Sequence, residues 1–121
     1  MRIEVTDAKP PFHRPPFDCQ ATVEVGGIRY NVGPSTLSEL REDALGLARG
    51  LQERKPFAPE FGCEPLFNVS FEGEQFVTFL YRPRLGPGFA WLPRWLIGRK
   101  VVSRPESVAE ATDYLNRFAA G

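Results

Sequence analysis

Side chains that carry catalysis and metal binding are scarce in this chain. Its 121 residues include one histidine, two cysteines and one methionine. A tetrahedral metal centre takes about four donors, so His13, Cys19 and Cys63 fall short unless carboxylates complete the set. His13 sits between Phe12 and Arg14, and the neighbouring cation favours its neutral form. A lone loop histidine is a weak general base, and this one reads as a ring filling space among prolines. Gly-x-Gly-x-x-Gly, Gly-x-x-x-x-Gly-Lys-Ser/Thr, Gly-x-Ser-x-Gly and His-Glu-x-x-His patterns are all missing. Gly86-Pro87-Gly88 sets a proline where a phosphate cradle needs a free amide. Paired carboxylates occur as Glu42-Asp43 and as Glu72 with Glu74, and both pairs read as solvated surface. The expectation is a domain that is not an enzyme and holds no cofactor or metal.

Long apolar runs are missing too. Nothing approaches the roughly 18 residues of a membrane span, and no apolar leader follows Met1-Arg2-Ile3-Glu4. A cytosolic location with reduced thiols is expected. Each cysteine would open a strand as a small buried hydrophobe, although export would permit a Cys19–Cys63 bridge and leaves that pairing open. Net charge is also absent, since 15 basic and 15 acidic residues cancel. Overall charge therefore gives no argument for nucleic acid or membrane binding. Locally the balance fails: no acidic residue lies between Glu74 and Glu106, where Arg82, Arg84, Arg94, Arg99, Lys100 and Arg104 all fall.

Proline, phenylalanine and glycine are present in informative places. Twelve prolines are about twice the usual share. Four of them, Pro10, Pro11, Pro15 and Pro16, make residues 8–18 an extended, irregular loop that Phe12 and Phe17 would pin to the core. A short strand is expected at 2–5. Around Gly26-Gly27 a two-residue type I′ turn closes a hairpin from Cys19 to Val32. In that register Val25 faces Ile28, Val23 faces Tyr30 and Ala21 faces Val32 on one apolar face. Glu24 faces Arg29 on the other, as an ion pair. Gly33-Pro34 should end the strand.

A helix should follow, opened by a Thr36–Glu39 capping box, with Leu37, Leu40, Ala44, Leu47, Ala48 and Leu51 at helical spacing. Arg54-Lys55 would supply positive charge at its end, and Pro56 forbids continuation. A second hairpin turns at Gly73: Phe67, Val69 and Phe71 alternate with polar residues, and Gln75 to Tyr81 returns as a nearly all-apolar strand, expected to be central and covered on both faces, stopped by Pro83. Val101-Val102 can return as a short strand. Ser103 and Glu106 suggest a capping box for a last helix carrying Val108, Ala111, Leu115 and Phe118 inward. Chain length and element order together predict one α+β domain over residues 1–121, an antiparallel sheet built from β-hairpins packed against two amphipathic helices.

Residues 82–104 stand apart as a basic aromatic flap. Trp91 and Trp95 are four apart, with Arg94 between them and Arg99-Lys100 close behind. Two readings stand for the tryptophans. They can point inward from a core-covering flap whose arginines reach out to solvent. They can instead anchor a protein interface, where Trp and Arg dominate. Stacking on bases or lying at a membrane surface would use the same residues. Trp91, Arg94, Trp95, Arg99 and Lys100 are therefore the candidate partner-binding residues.

The order of elements, with Leu37-Ser38-Glu39-Leu40, Glu64-Pro65-Leu66-Phe67-Asn68-Val69-Ser70-Phe71 and Ser103-Arg104-Pro105-Glu106-Ser107-Val108-Ala109-Glu110-Ala111, resembles the small immunity proteins of bacterial polymorphic toxin systems, the WapI-type family in particular, over about residues 19–121. The resemblance implies a cytosolic protein that binds and blocks one toxin domain. It transfers no site residues, because such proteins bind through variable surfaces. The alternatives from the residues alone are a small structural or adaptor subunit of a larger bacterial or phage-derived assembly, and a nucleic-acid accessory protein using the flap.

Overall fold

A computed structural model of the chain describes residues 1–7, 17–62, 64–83 and 98–121. Most of the proline-rich loop, including His13, lies outside the described residues, as do Cys63 and the centre of the flap.

Gly26 and Gly27 take φ of 51° and 85°, the double positive φ that a type I′ turn requires. The turn joins β2 (Cys19–Val25) to β3 (Ile28–Ser35) in the expected register, with Val25 opposite Ile28, Val23 opposite Tyr30 and Ala21 opposite Val32. β1 (Arg2–Asp7) adds to the free side of β2, so the first sheet runs β1-β2-β3. Ile3, Ala21, Val23, Val25, Tyr30 and Val32 are buried on its inner face. Glu24 stands opposite Arg29 in the register, but Arg29 makes its ion pair elsewhere. Its guanidinium reaches Glu4 on β1 at 3.0 Å, a carboxylate that Arg2 also binds. Nor does Gly33-Pro34 end the strand. β3 continues to Ser35 opposite Cys19, with an irregularity between Cys19 and Ala21. Pro34 is tolerated there because β3 is an edge strand.

Helix α1 (Leu37–Glu53) starts where its cap predicts, with the Thr36 side chain accepting the Glu39 N–H at 3.1 Å. The Glu39 carboxylate does not close the box. It accepts instead from the Ser35 hydroxyl, whose residue is fully buried. Leu40, Ala44, Leu47, Ala48 and Leu51 are buried as the spacing implies, but Leu37, on the first turn, is 41% exposed. Arg54 is the C-cap, in the left-handed conformation at φ 56°. It binds the turn at Gly73 through Glu74 (2.7 Å) and the Gly73 carbonyl (3.2 Å). That pairing holds the Glu74 carboxyl below its ordinary pKa.

After the two-residue strands β4 (Glu60–Phe61) and β5 (Glu64–Pro65), β6 (Asn68–Glu72) and β7 (Gln75–Pro83) form the second hairpin, with Gly73 at φ 59°. β7 is central as expected, but it is not covered on both faces, because Tyr81 on its outer face is exposed. β6 lies on one side, and β8 (Gly98–Val102) then β9 (Glu106–Ser107) follow one another along the other. The last helix, α2 (Val108–Ala120), starts four residues later than Ser103–Glu106 suggests. Its cap is the next Ser-x-x-Glu, with Ser107 accepting the Glu110 N–H at 3.3 Å.

The displaced segment has another task. Ser103 is buried, accepts the Thr78 N–H on its hydroxyl at 2.8 Å, and returns its own N–H to the Thr78 carbonyl at 2.8 Å. Arg104 donates its N–H to the Gly26 carbonyl at 2.9 Å. The Glu106 carboxylate accepts the Gly26 N–H at 2.5 Å and pairs with the Met1 ammonium. Residues 103–106 thus strap the first hairpin's turn to the second sheet. Tyr30 adds a second link, its hydroxyl 2.8 Å from the Thr78 hydroxyl and its ring 4.7 Å from that of Phe67. α1 and α2 pack side by side, and both contribute to the one apolar cluster shared with the sheets.

Candidate functional site: the outer face and free edge of the second sheet

Trp91, Arg94 and Trp95 lie outside the described residues. Arg99 and Lys100 are brought into β8, where the backbone of Arg99 stands opposite Arg82 and Lys100 opposite Tyr81.

Side chains alternate across a strand, so the register sorts this sheet into two faces. Phe76, Thr78, Leu80 and Val101 share the face toward the core, with Phe76 and Thr78 fully buried. Val77, Phe79, Tyr81, Lys100 and Val102 share the other. On it Tyr81 is 37% and Val102 50% exposed, and the Lys100 ammonium stands 4.4 Å above the Phe79 ring. A cation over an aromatic face is held by the ring's quadrupole while its remaining donors stay available.

The backbone is sorted the same way. Antiparallel neighbours alternate between hydrogen-bonded and non-hydrogen-bonded pairs. The Ser103 N–H to Thr78 carbonyl bond fixes the phase, making Leu80–Val101 and Arg82–Arg99 bonded pairs. Phe79–Val102, Tyr81–Lys100 and Pro83–Gly98 are then the non-bonded ones, which suits Pro83, a residue with no N–H to give. Lys100 and Val102 therefore turn their N–H and C=O groups away from β7. No strand pairs with that outward edge among the described residues.

No protein-family model matches the chain, and neither does any curated protein or solved structure. The immunity-family resemblance therefore rests on the residues that suggested it.

A second surface was not foreseen. A cleft of about 540 Å³ is lined by Phe17, Gly33, Pro34, Glu39, Glu42, Asp43, Phe61 and Gly62. Phe17, expected to pin its loop to the core, is 40% exposed here. Asp43 is no fully solvated carboxylate: it accepts the Gly62 N–H at 2.9 Å. Burial raises its pKa against that bond, with Glu39, Glu42 and Glu60 adding repulsion. Its residues come from four separate stretches of chain, so no local pattern announced it. Nearby, Cys19 is a free, buried thiol donating to the Ser35 carbonyl. Burial first, then Asp18, Asp7 and Glu39, push its pKa up, which keeps it a thiol and a poor nucleophile at neutral pH. No group of three or more His, Cys, Asp or Glu suited to a metal ion occurs among the described residues, and no helix among them is long and apolar enough to cross a membrane.

Proposed function

We propose that this chain is a non-catalytic protein-binding domain of the cytosol and that it contacts its partner through the outer face of the second sheet. The observation that carries the reading is the exposure of Tyr81 and Val102 beside Lys100 on one regular, strand-supported face. Tyrosine is among the side chains that dominate binding energy at interface centres, and an apolar neighbour and a peripheral cation supply packing and steering around it. Rigid strands also spare the ordering cost that a loop would add on binding. The finer reading, an immunity protein that neutralises a cognate bacterial toxin, is supported by the family resemblance.

The test is co-purification of the full chain with the protein encoded beside it, followed by calorimetric titration of the purified pair. Tyr81→Ala with Val102→Asp should weaken binding by about 2 kcal/mol or more while leaving thermal unfolding nearly unchanged. Recovery of nucleic acid instead, with affinity that collapses as salt rises, would overturn the protein-binding reading.

A further inference from the structure

We infer that the outward edge of β8 receives an extended acidic segment of a protein partner as an added strand. The inference deepens the protein-binding reading and rests on it. An edge strand offers N–H and C=O groups in strand register, and a partner strand satisfies them with main-chain bonds. Here the phase of the β7–β8 ladder turns the groups of Lys100 and Val102 outward, where no strand takes them among the described residues. The side chains of the same two residues lie on the exposed outer face, so an added strand would meet a cation and an apolar anchor at alternate positions.

Charge selects the occupant. The strand reads Gly98-Arg99-Lys100-Val101-Val102, within a stretch free of acidic residues from 75 to 105, and Arg104 beyond it is exposed. A second copy pairing antiparallel about Lys100 would set like charges directly opposite one another, which destabilises a ladder. An acidic strand turns the same positions into attractive cross-strand pairs. Lysine on an edge is a common guard against self-association. In β8 the same charge selects for a partner of opposite sign.

The probe is a synthetic peptide of alternating glutamate and valine, with a lysine–valine peptide as control, titrated into the full chain and followed by amide NMR and hydrogen exchange. Saturable binding of the acidic peptide alone is expected, with exchange slowed at the Lys100 and Val102 amides and unchanged at Arg99 and Val101, which already bond to β7. Val102→Pro removes one outward N–H without touching a β7 bond and should abolish binding. Lys100→Glu should weaken the acidic peptide about fivefold and admit the basic one. If Val102→Pro does not fold, Lys100→Glu and the exchanged peptide preference decide the matter. Absence of saturable binding up to about 1 mM would overturn the inference. Binding without protection of Lys100 and Val102 would also overturn it, while leaving a side-chain contact surface, and hence the protein-binding reading, intact.

Discussion

Replacing Gly26 and Gly27 one at a time by alanine separates the strain of a turn from the loss of a docking contact. Both glycines have positive φ, so alanine at either costs about 1 kcal/mol for conformation alone. Their surroundings differ. A Cβ on Gly26 would stand 2.2 Å from the Arg104 carbonyl oxygen and 2.7 Å from its nitrogen, both backbone atoms. A Cβ on Gly27 would approach only the Arg104 guanidinium, at 2.9 Å, the movable end of an exposed side chain. Alanine at 26 must therefore push the strap away. That sacrifices the Arg104 N–H to Gly26 bond, about 1 kcal/mol, and the charged Glu106 to Gly26 bond, about 2 kcal/mol. The expected losses are roughly 4 kcal/mol for Gly26→Ala and about 1 kcal/mol for Gly27→Ala. At roughly 4 °C per kcal/mol, the Tm shifts are ~16 °C and ~4 °C. Urea unfolding with a common m value is the assay. Equal losses at the two sites would refute the strap, because strain alone would then account for both.

Three further outcomes are expected. Ser103→Ala should lower urea stability by about 2 kcal/mol, because it orphans the buried Thr78 N–H, against about 1 kcal/mol for the exposed cap lost in Ser107→Ala; the reverse order would restore Ser103 as the helix cap. The pKa of Asp43 is raised in the folded state, so its contribution to stability is complete below the ordinary value of 3.8 and is lost as pH rises through the folded value. Asp43→Asn should accordingly be more stable than the parent at neutral pH, with the gap closing below pH 3.8, as followed by thermal unfolding at a series of pH values; a gap that widens on acidification would contradict the assigned direction. Thr112→Val removes a buried hydroxyl that has no hydrogen-bond partner and should raise stability by about 1 kcal/mol in urea, whereas a loss of that size would show that the hydroxyl is satisfied.

The described part of the candidate site was half legible. Lys100 and Arg99 stand out by composition, but their places in β8 come from pairing with Tyr81 and Arg82 across 18 and 16 intervening residues, which no local pattern encodes. Tyr81 and Val102 read as ordinary apolar strand residues. Their exposure follows from the sheet meeting the first hairpin through its other face, where Thr78 binds Tyr30. The acidic cleft was illegible for the same reason: Phe17, Pro34, Asp43 and Gly62 meet only after the chain has folded.

Turns, strand register and the start of α1 depend on a residue and its near neighbours and were determined by the sequence. Gly26-Gly27 dictated a type I′ turn, period-two alternation dictated the register from Ala21 to Val32, Thr36 placed the start of α1, and Gly73 placed the second turn. Local rules failed at Gly33-Pro34, where an edge strand tolerates the proline, and where two local signals were equivalent. Ser103-Arg104-Pro105-Glu106 and Ser107-Val108-Ala109-Glu110 both read as a helix start, and only tertiary contacts broke the tie. Backbone groups on Thr78 and Gly26 needed partners, and Ser103, Arg104 and Glu106 were the ones within reach. A buried amide without a partner costs more than a helix loses by starting four residues later, so the first signal went to the sheet and the second capped the helix.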